Sequence, residues 1–377
     1  MSQPREDLPE PDRREGAPHP RETPRLFGQE AAEAEFLAAA ASGRRHHAWL
    51  IAGPEGIGKA TLAWRIARHL IATPATEAGL FGDAPAPASL DVAPDHPVAR
   101  RIAALSEPGL FLLRRPWDPD RKRLRQDITV EAARGLQRFF GLSAAEGGHR
   151  VVIVDAADEL NTNAANALLK LIEEPPARAT LLMVCHRPSA LLPTIRSRCR
   201  LLRCAPLSPD ALTRALAQAG ADLPEGSEQM ARLEHLSAGS PGIAWDLLMQ
   251  DGLELDRAVG MLFASLPGHD RRAALKLADR LGTAAKAPER RLFYRLLSQE
   301  IAAIARAGIV TPTDPLDPAS WRRTLAPGPG AARHWAEIHQ SLGARLAHAE
   351  AVNLDPHSVI LDMVRRIDEV AARAGRP

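Results

Sequence analysis

Residues 48–60 read Ala-Trp-Leu-Ile-Ala-Gly-Pro-Glu-Gly-Ile-Gly-Lys-Ala, an apolar run that enters a glycine loop and ends on lysine. No other stretch constrains the fold as much, because it specifies three consecutive elements. The run 48–52 predicts a buried strand, the glycines a tight loop, and 59–71 a helix. In that order the N–H groups of the loop and of the first helical turn converge on one spot. The helix dipole favours an anion at the same place. Gly56 and Gly58 permit backbone approaches that a Cβ would block, and Lys59 would meet the β- and γ-phosphates of a nucleotide.

The loop then breaks at its last position. A working loop places Ser or Thr after the lysine, whose hydroxyl binds Mg²⁺; here the residue is Ala60. Thr61 lies about 100° further round the helix, where it could touch an inner phosphate but not replace the missing ligand. A second metal-associated position is Asp155, which closes the β-branched run Val151-Val152-Ile153-Val154, read as a fully buried parallel strand. Beside it stands Ala156, which can do no acid–base work. Shifting the register to Asp158-Glu159 would push the carboxylates a turn beyond the strand, so Asp158 is expected as an exposed loop or helix-start residue. Gly53, Gly56, Gly58, Lys59, Thr61 and Asp155 are therefore the candidate residues of a degenerate nucleotide site.

Further strands are expected at 111–114, 180–184 and 201–202, with helices at 28–42, 128–140 and 164–173, the last stopped by Pro175-Pro176. Strands alternating with helices imply right-handed crossovers and a parallel α/β sheet. Segment 73–97 reads as an irregular Pro- and Ala-rich insertion. Beyond residue 206 the pattern turns helical, with short helices at 209–220, 230–237 and 243–249. Longer helices run from about 253 to 374, interrupted at 311–330.

Composition narrows the class of protein. A chain of 377 residues, 45% hydrophobic and 25% charged, suits two or three soluble domains. A net charge of +2 makes no global case for nucleic acid. Cys185, Cys199 and Cys204 form no C-x-x-C pair and no metal-ligand spacing, so neither a disulfide framework nor a metal site is expected. Residues 1–24, rich in Pro, Arg and Glu, predict a disordered tail rather than a secretory signal. No apolar run approaches the roughly 18 residues of a membrane span, so a cytoplasmic location is expected.

The segment 151–199 contains Val-Val-Ile-Val-Asp155, then Asn166-Ala-Leu-Leu-Lys170-Leu-Ile-Glu-Glu-Pro-Pro176, then Ser197-Arg198-Cys199. It resembles the bacterial replicative clamp-loader subunits of the AAA+ superfamily, over roughly residues 25–250. The resemblance implies an α/β AAA+ P-loop parallel-sheet domain (25–205), a small helical lid domain (206–252) and an all-helical collar domain for oligomerisation (253–377). ATP-hydrolysing members of that family have an intact loop, an Asp-Glu pair and an Arg in the lid turn. Here those positions hold Ala60, Asp155-Ala156 and Gly239-Ser240-Pro241-Gly242. The resemblance therefore implies the non-hydrolysing, stator-like member, a subunit of a DNA-directed DNA polymerase (nucleotidyltransferase) holoenzyme. Its loop would be structural or would hold ATP or ADP without turnover, with no cofactor required. The four-cysteine zinc module common in the family is not expected, since 73–127 has no cysteine.

By the same resemblance, Arg198 would act in trans as an arginine finger on the γ-phosphate held by a neighbouring ATPase subunit. A guanidinium suits this because it is always charged and presents a planar fork of donors; read by residue type alone, Arg198 is a surface Arg paired with a carboxylate. The implied partners are the loader's ATPase subunits, its clamp-opening subunit and, indirectly, the sliding clamp and primed DNA, with no membrane. Glu173-Glu174 read as turn-facing structural acids, the basic run 121–125 as a solvated loop, His46-His47 as local packing, and Cys199 as a small buried residue. Two rivals stay open: an ATP-hydrolysing AAA+ subunit, and a small-molecule kinase, which would need a substrate lid that the sequence does not suggest.

Overall fold

The computed structural model describes residues 9–42, 46–73, 88–141, 148–310 and 321–374. The chain divides into two compact units, Met1–Leu223 with Ser237–Trp245, and Pro224–Leu236 with Asp246–Pro377. The segment 206–252, expected as a lid, is shared between them.

The first unit runs α1 (Glu30–Ala41), β1 (Ala48–Ala52), α2 (Lys59–Ala72), α3 (Pro97–Ala103), β2 (Leu110–Arg114), β3 (Trp117–Asp118), β4 (Arg123–Leu124), α4 (Val130–Gly141), β5 (Arg150–Asp155), α5 (Thr162–Glu173), β6 (Ala179–Cys185), α6 (Pro193–Arg196), β7 (Arg200–Arg203) and α7 (Pro209–Ala219). Five strands form one sheet in the order β2-β5-β6-β1-β7, and every pair in it is parallel. β1, β5 and β6 are buried almost end to end, as their unbroken apolar runs require of strands covered on both faces. One strand, β6, separates the loop-bearing β1 from the acid-bearing β5. The registers Ala52↔Cys185 and Val154↔Met183 bring the ends of β1 and β5 to the same edge of the sheet. The two ends are thus about 10 Å apart at ~4.8 Å per strand spacing.

Local chemistry fixes the helix limits. The Asn161 side chain accepts from Ala164 N–H at the start of α5, and Ser208 accepts from Ala211 N–H at the start of α7. Gly220 ends α7 in the left-handed conformation. Two elements differ from expectation. Pro97, the last residue of what read as insertion, opens the unexpected helix α3, with the His96 side chain as its N-cap. The basic run 121–125 is not a plain loop: it supplies β4, which pairs with β3 in a short hairpin.

Residues 9–24 correct the expected tail. His19 is fully buried, edge-on to Trp64 with ring centroids 5.8 Å apart. The segment's acids meet Arg114 at the end of β2, Asp12 at 2.5 Å and Glu10 at 3.0 Å. Composition suggests solvation for such a segment; these partners, 45 to 104 residues away along the chain, order it instead. Residues 1–8 lie outside the described residues.

The second unit is helical. α8 (Ser227–Ser237) and α9 (Pro241–Met249) each straddle the division. They are followed by α10 (Gly252–Ala264), α11 (Arg271–Leu281), α12 (Ala287–Ala307), α13 (Trp321–Leu325), α14 (Pro329–Ala351) and α15 (Pro356–Ala374). Phe263, Phe293, Trp335 and Ile367 lie at its centre, and Arg322 grips the buried Glu300 with two hydrogen bonds (2.5 and 2.7 Å). The interrupting stretch 311–330 contains α13 and the start of α14; residues 311–320 lie outside the described residues. Among the described residues no helix is long and apolar enough to cross a membrane.

Candidate functional site

The glycine loop joins β1 to α2 as its sequence requires. Gly58 is the N-cap of α2 at φ +103°, a conformation that favours glycine. Gly56 permits a close approach: a Cβ there would stand 2.6 Å from Ser240 Oγ. Thr61 is half-buried on the first turn of α2. Lys59 is turned inward. It is 3% exposed, and its ammonium donates to Gly53 O (2.8 Å) and Pro54 O (2.5 Å). Burial pulls its pKa below the usual range, opposed by Cys204 and Asp155.

Asp155 closes β5 at the same edge of the sheet, 7% exposed. Burial raises its pKa to about 7, helped by the neighbouring Asp12 and Glu159 and opposed by Lys59. Asp158 sits on the 3₁₀ turn after β5, beyond the strand as expected, but it is not exposed. Its side chain is 2% accessible and accepts from His186 N–H at 2.9 Å. Glu159 pairs with Arg115 at 2.8 Å. Both acids behind Ala156 are thus engaged elsewhere.

Two features of the site were missed in the sequence. Gln29, 2% exposed, bonds Ile57 O, Ala205 O and Ala205 N–H, joining the entry to α1, the glycine loop and the exit of β7. A single polar residue before a helix carries no local signal of that role. The turn 239–242 docks on the loop: Ser240 Oγ donates to Glu55 O (2.9 Å), and Gly242 N–H donates to Gly56 O (2.9 Å). The turn lacks an arginine, yet one from elsewhere lies against it. A Cβ on Gly242 would meet Arg14 Nε at 2.6 Å.

The residues present do not fit a magnesium–nucleotide complex. Ala60 offers no metal ligand, Lys59 is bonded to loop carbonyls, and Asp155 is about half protonated near neutral pH.

Arg198 is not part of this group. It follows the short α6 and precedes β7, whereas Cys204, one residue past β7, contacts the glycine loop at Gly53. Because β7 runs parallel to β1, Arg198 stands at the opposite end of the sheet, at least about 13 Å away at ~3.3 Å per residue. Its guanidinium is 43% exposed, held by Glu173 (3.0 Å) and Thr194 O (3.1 Å). Glu173, read as a structural acid, has this as its partner. Cys199 is half-buried with its thiol on Ile195 O. His47 bonds Ile172 O, and His46 packs edge-on to Trp49, both local contacts.

A parallel sheet of this order, with its glycine loop and buried acid at one edge, is an α/β P-loop domain, the fold class that the sequence implied. Residues 28–208 match the family described as DNA polymerase III, delta subunit. The chain is 37% identical over 195 residues to the DNA polymerase III delta′ subunit of Pseudomonas aeruginosa, covering 52% of this chain and 53% of that one. The Escherichia coli delta′ subunit is 30% identical over 242 residues, 63% and 65% of the two chains. A gamma/tau subunit of Mycobacterium bovis is 31% identical over 173 residues, 46% of this chain and 27% of that one. Over this matched region, a little under half of the chain, the sequence is similar to DNA polymerase III delta′ subunits. It spans less than two thirds of the delta′ relatives it matches.

Proposed function

We propose that the chain is the non-hydrolysing, stator subunit of a DNA polymerase III clamp loader. In this role it holds gamma/tau ATPase subunits and a delta subunit in one assembly. It acts indirectly on the sliding clamp and primed DNA, in the cytoplasm, and needs neither zinc nor its own ATP turnover. Its active contribution is Arg198, inserted as a finger beside the γ-phosphate on an adjacent ATPase subunit. One observation supports this most: an arginine, 43% exposed and paired with the exposed Glu173, stands at the end of the sheet away from the glycine loop. In nucleotidases such a finger stabilises the charge on the transferring phosphoryl group and is worth ~10³–10⁵ in turnover.

The second unit suits a collar. Among the described residues, the large apolar side chains with the most exposure fall there with one exception, Leu105. Met261, Ile309 and Val310 are each more than 60% exposed, as expected of faces that meet other subunits.

The test is a loader reconstituted with Arg198→Ala in this chain. Assembly is expected to be unchanged, while clamp- and DNA-stimulated ATP turnover falls severalfold. Unaltered turnover would remove Arg198 from the mechanism. ATP hydrolysis by the purified chain, abolished by Lys59→Ala, would refute the stator role itself.

A further inference from the structure

Two pieces of the first unit rest on the same two residues of the glycine loop. Glu55 O accepts from Ser240 Oγ and Gly56 O from Gly242 N–H, both at 2.9 Å, which seats the turn 239–242. The Glu55 carboxylate also accepts from Arg14 Nη2 at 3.0 Å. The Arg14 guanidinium lies against both glycines, where added Cβ atoms would meet it at 3.1 Å (Gly56) and 2.6 Å (Gly242). Residues 10–23 thus form a strap across the bond that holds the turn down. The strap meets the turn's helix again where Trp245 Nε1 donates to Glu15 O at 2.9 Å. Gly16 follows at φ +73°, where a Cβ would lie 3.7 Å from the Trp245 ring. Other contacts anchor the strap to the sheet and α2. Asp12, whose side chain has no exposure, pairs with Arg114 at 2.5 Å, and the buried His19 packs on Trp64. Arg68 on α2 donates to Arg21 O and Thr23 O, and Arg21 closes the strap on Glu10 at 2.8 Å.

We propose that residues 10–23 are a clasp that locks the turn 239–242 onto the glycine loop, so that strap and turn open together above a folded sheet. Three features of the contacts carry this. Arg14 touches the loop and the turn at once, so it cannot leave without uncovering the Gly242–Gly56 bond. A backbone hydrogen bond is worth little net once water competes for its partners, and Arg14 stands where that water would enter. Trp245, in return, holds Glu15 at the middle of the strap, so a lifted turn leaves the strap fixed only at its ends. One further bond, Leu207 N–H to Gly239 O at 2.9 Å, ties the turn to the entry of α7 without touching the strap. It makes Gly239 the fixed end about which the turn lifts. Because strap and turn hold each other, a change on either side is felt on the other by the same factor. This device belongs to the chain alone and stands apart from the loader role.

The experiment is native-state hydrogen exchange on the purified full chain and two pairs of full-length variants. Arg14→Gln removes the cation lying against the two glycines, and Gly16→Val places a β-branched residue at a φ of +73°; both loosen the strap. Trp245→Phe removes the indole donor, and Ser240→Ala removes the hydroxyl that bonds Glu55 O; both loosen the turn. Strap opening is read at the amides of Ala17 and Glu22, which bond Arg14 O and His19 O, and turn opening at the amide of Gly242. Exchange at β5 and β6 reports whether the sheet stays folded. Each variant is expected to speed exchange at both strap and turn by about fivefold or more, the factor that one net hydrogen bond is worth, with β5 and β6 unchanged. Strap variants that quicken only the strap, or turn variants that quicken only the turn, would overturn the clasp. So would exchange at β5 rising in step, which would make the strap part of the whole unit's stability, and so would no change at either place. Where one member of a pair does not fold, the other decides alone by the same fivefold criterion.

Discussion

Replacing Asp155 by Asn removes a charge whose ionisation the fold opposes. The carboxyl titrates near 7 in the native chain against 3.8 ordinarily, a difference of 7 − 3.8, chiefly through burial and secondarily through Asp12. At about 1.36 kcal/mol per pH unit, the full penalty for the ionised form is about 4 kcal/mol. The sign follows from proton binding: between pH 4 and 7 the native state holds a proton that the unfolded chain has released. Asp155 therefore costs stability increasingly as pH rises through that window, and the cost levels off above 7. Asn carries no such charge, although its amide must find partners in a buried place, so about 2 kcal/mol is the expected gain at pH 8. For a unit of this size that is about 4–8 °C in Tm. Calorimetry of wild type and variant at pH 4.5 and pH 8, with exchange at β5 assigning the transition, measures the difference directly. Stabilisation at pH 8 that vanishes at pH 4.5 is the expected pattern. A variant-minus-wild-type difference that is flat with pH would refute the assignment of a raised pKa to Asp155.

Other consequences follow from single groups. Gln29→Ala should cost about 1–3 kcal/mol in denaturant melts, because it leaves the buried Ile57 carbonyl and the part-buried carbonyl and N–H of Ala205 without their partner; a loss under 0.5 kcal/mol would mean water or a neighbour replaces it. The native chain should react sluggishly with a thiol reagent at pH 8, since burial pushes Cys185 and Cys199 to about 12 and Cys204 to about 11. One rapidly modified thiol before unfolding would contradict that.

Much of the first unit was legible in the sequence because its signals are local. An uninterrupted apolar run such as 151–154 has one good solution, a strand covered on both faces, and the glycine loop demands a strand before it and a helix after it. The limits of α5 and α7 follow from Asn161, Ser208 and Gly220, each acting within a few residues of itself. The gaps at Ala60 and Ala156 were equally plain, since a missing oxygen needs no tertiary context. The burial of Asp158 was not legible, because it depends on the His186 amide at the end of another strand. Nor was Gln29, whose partners lie 28 and 176 positions away.

Residues 9–24 mark the division most clearly. By composition they belong in water, with Pro and paired charges in place of apolar periodicity. What orders them is a set of groups supplied by distant segments: Arg114 for Glu10 and Asp12, Trp64 for His19, Trp245 for Glu15, and Gly56 with Gly242 for Arg14. By itself the sequence determined that this chain builds a phosphate loop and lacks the oxygens to use it, because both facts reside in covalent neighbours. Only the tertiary structure decided what lies over that loop and which end of the sheet presents Arg198. Ion pairs and strand direction depend on where distant segments meet.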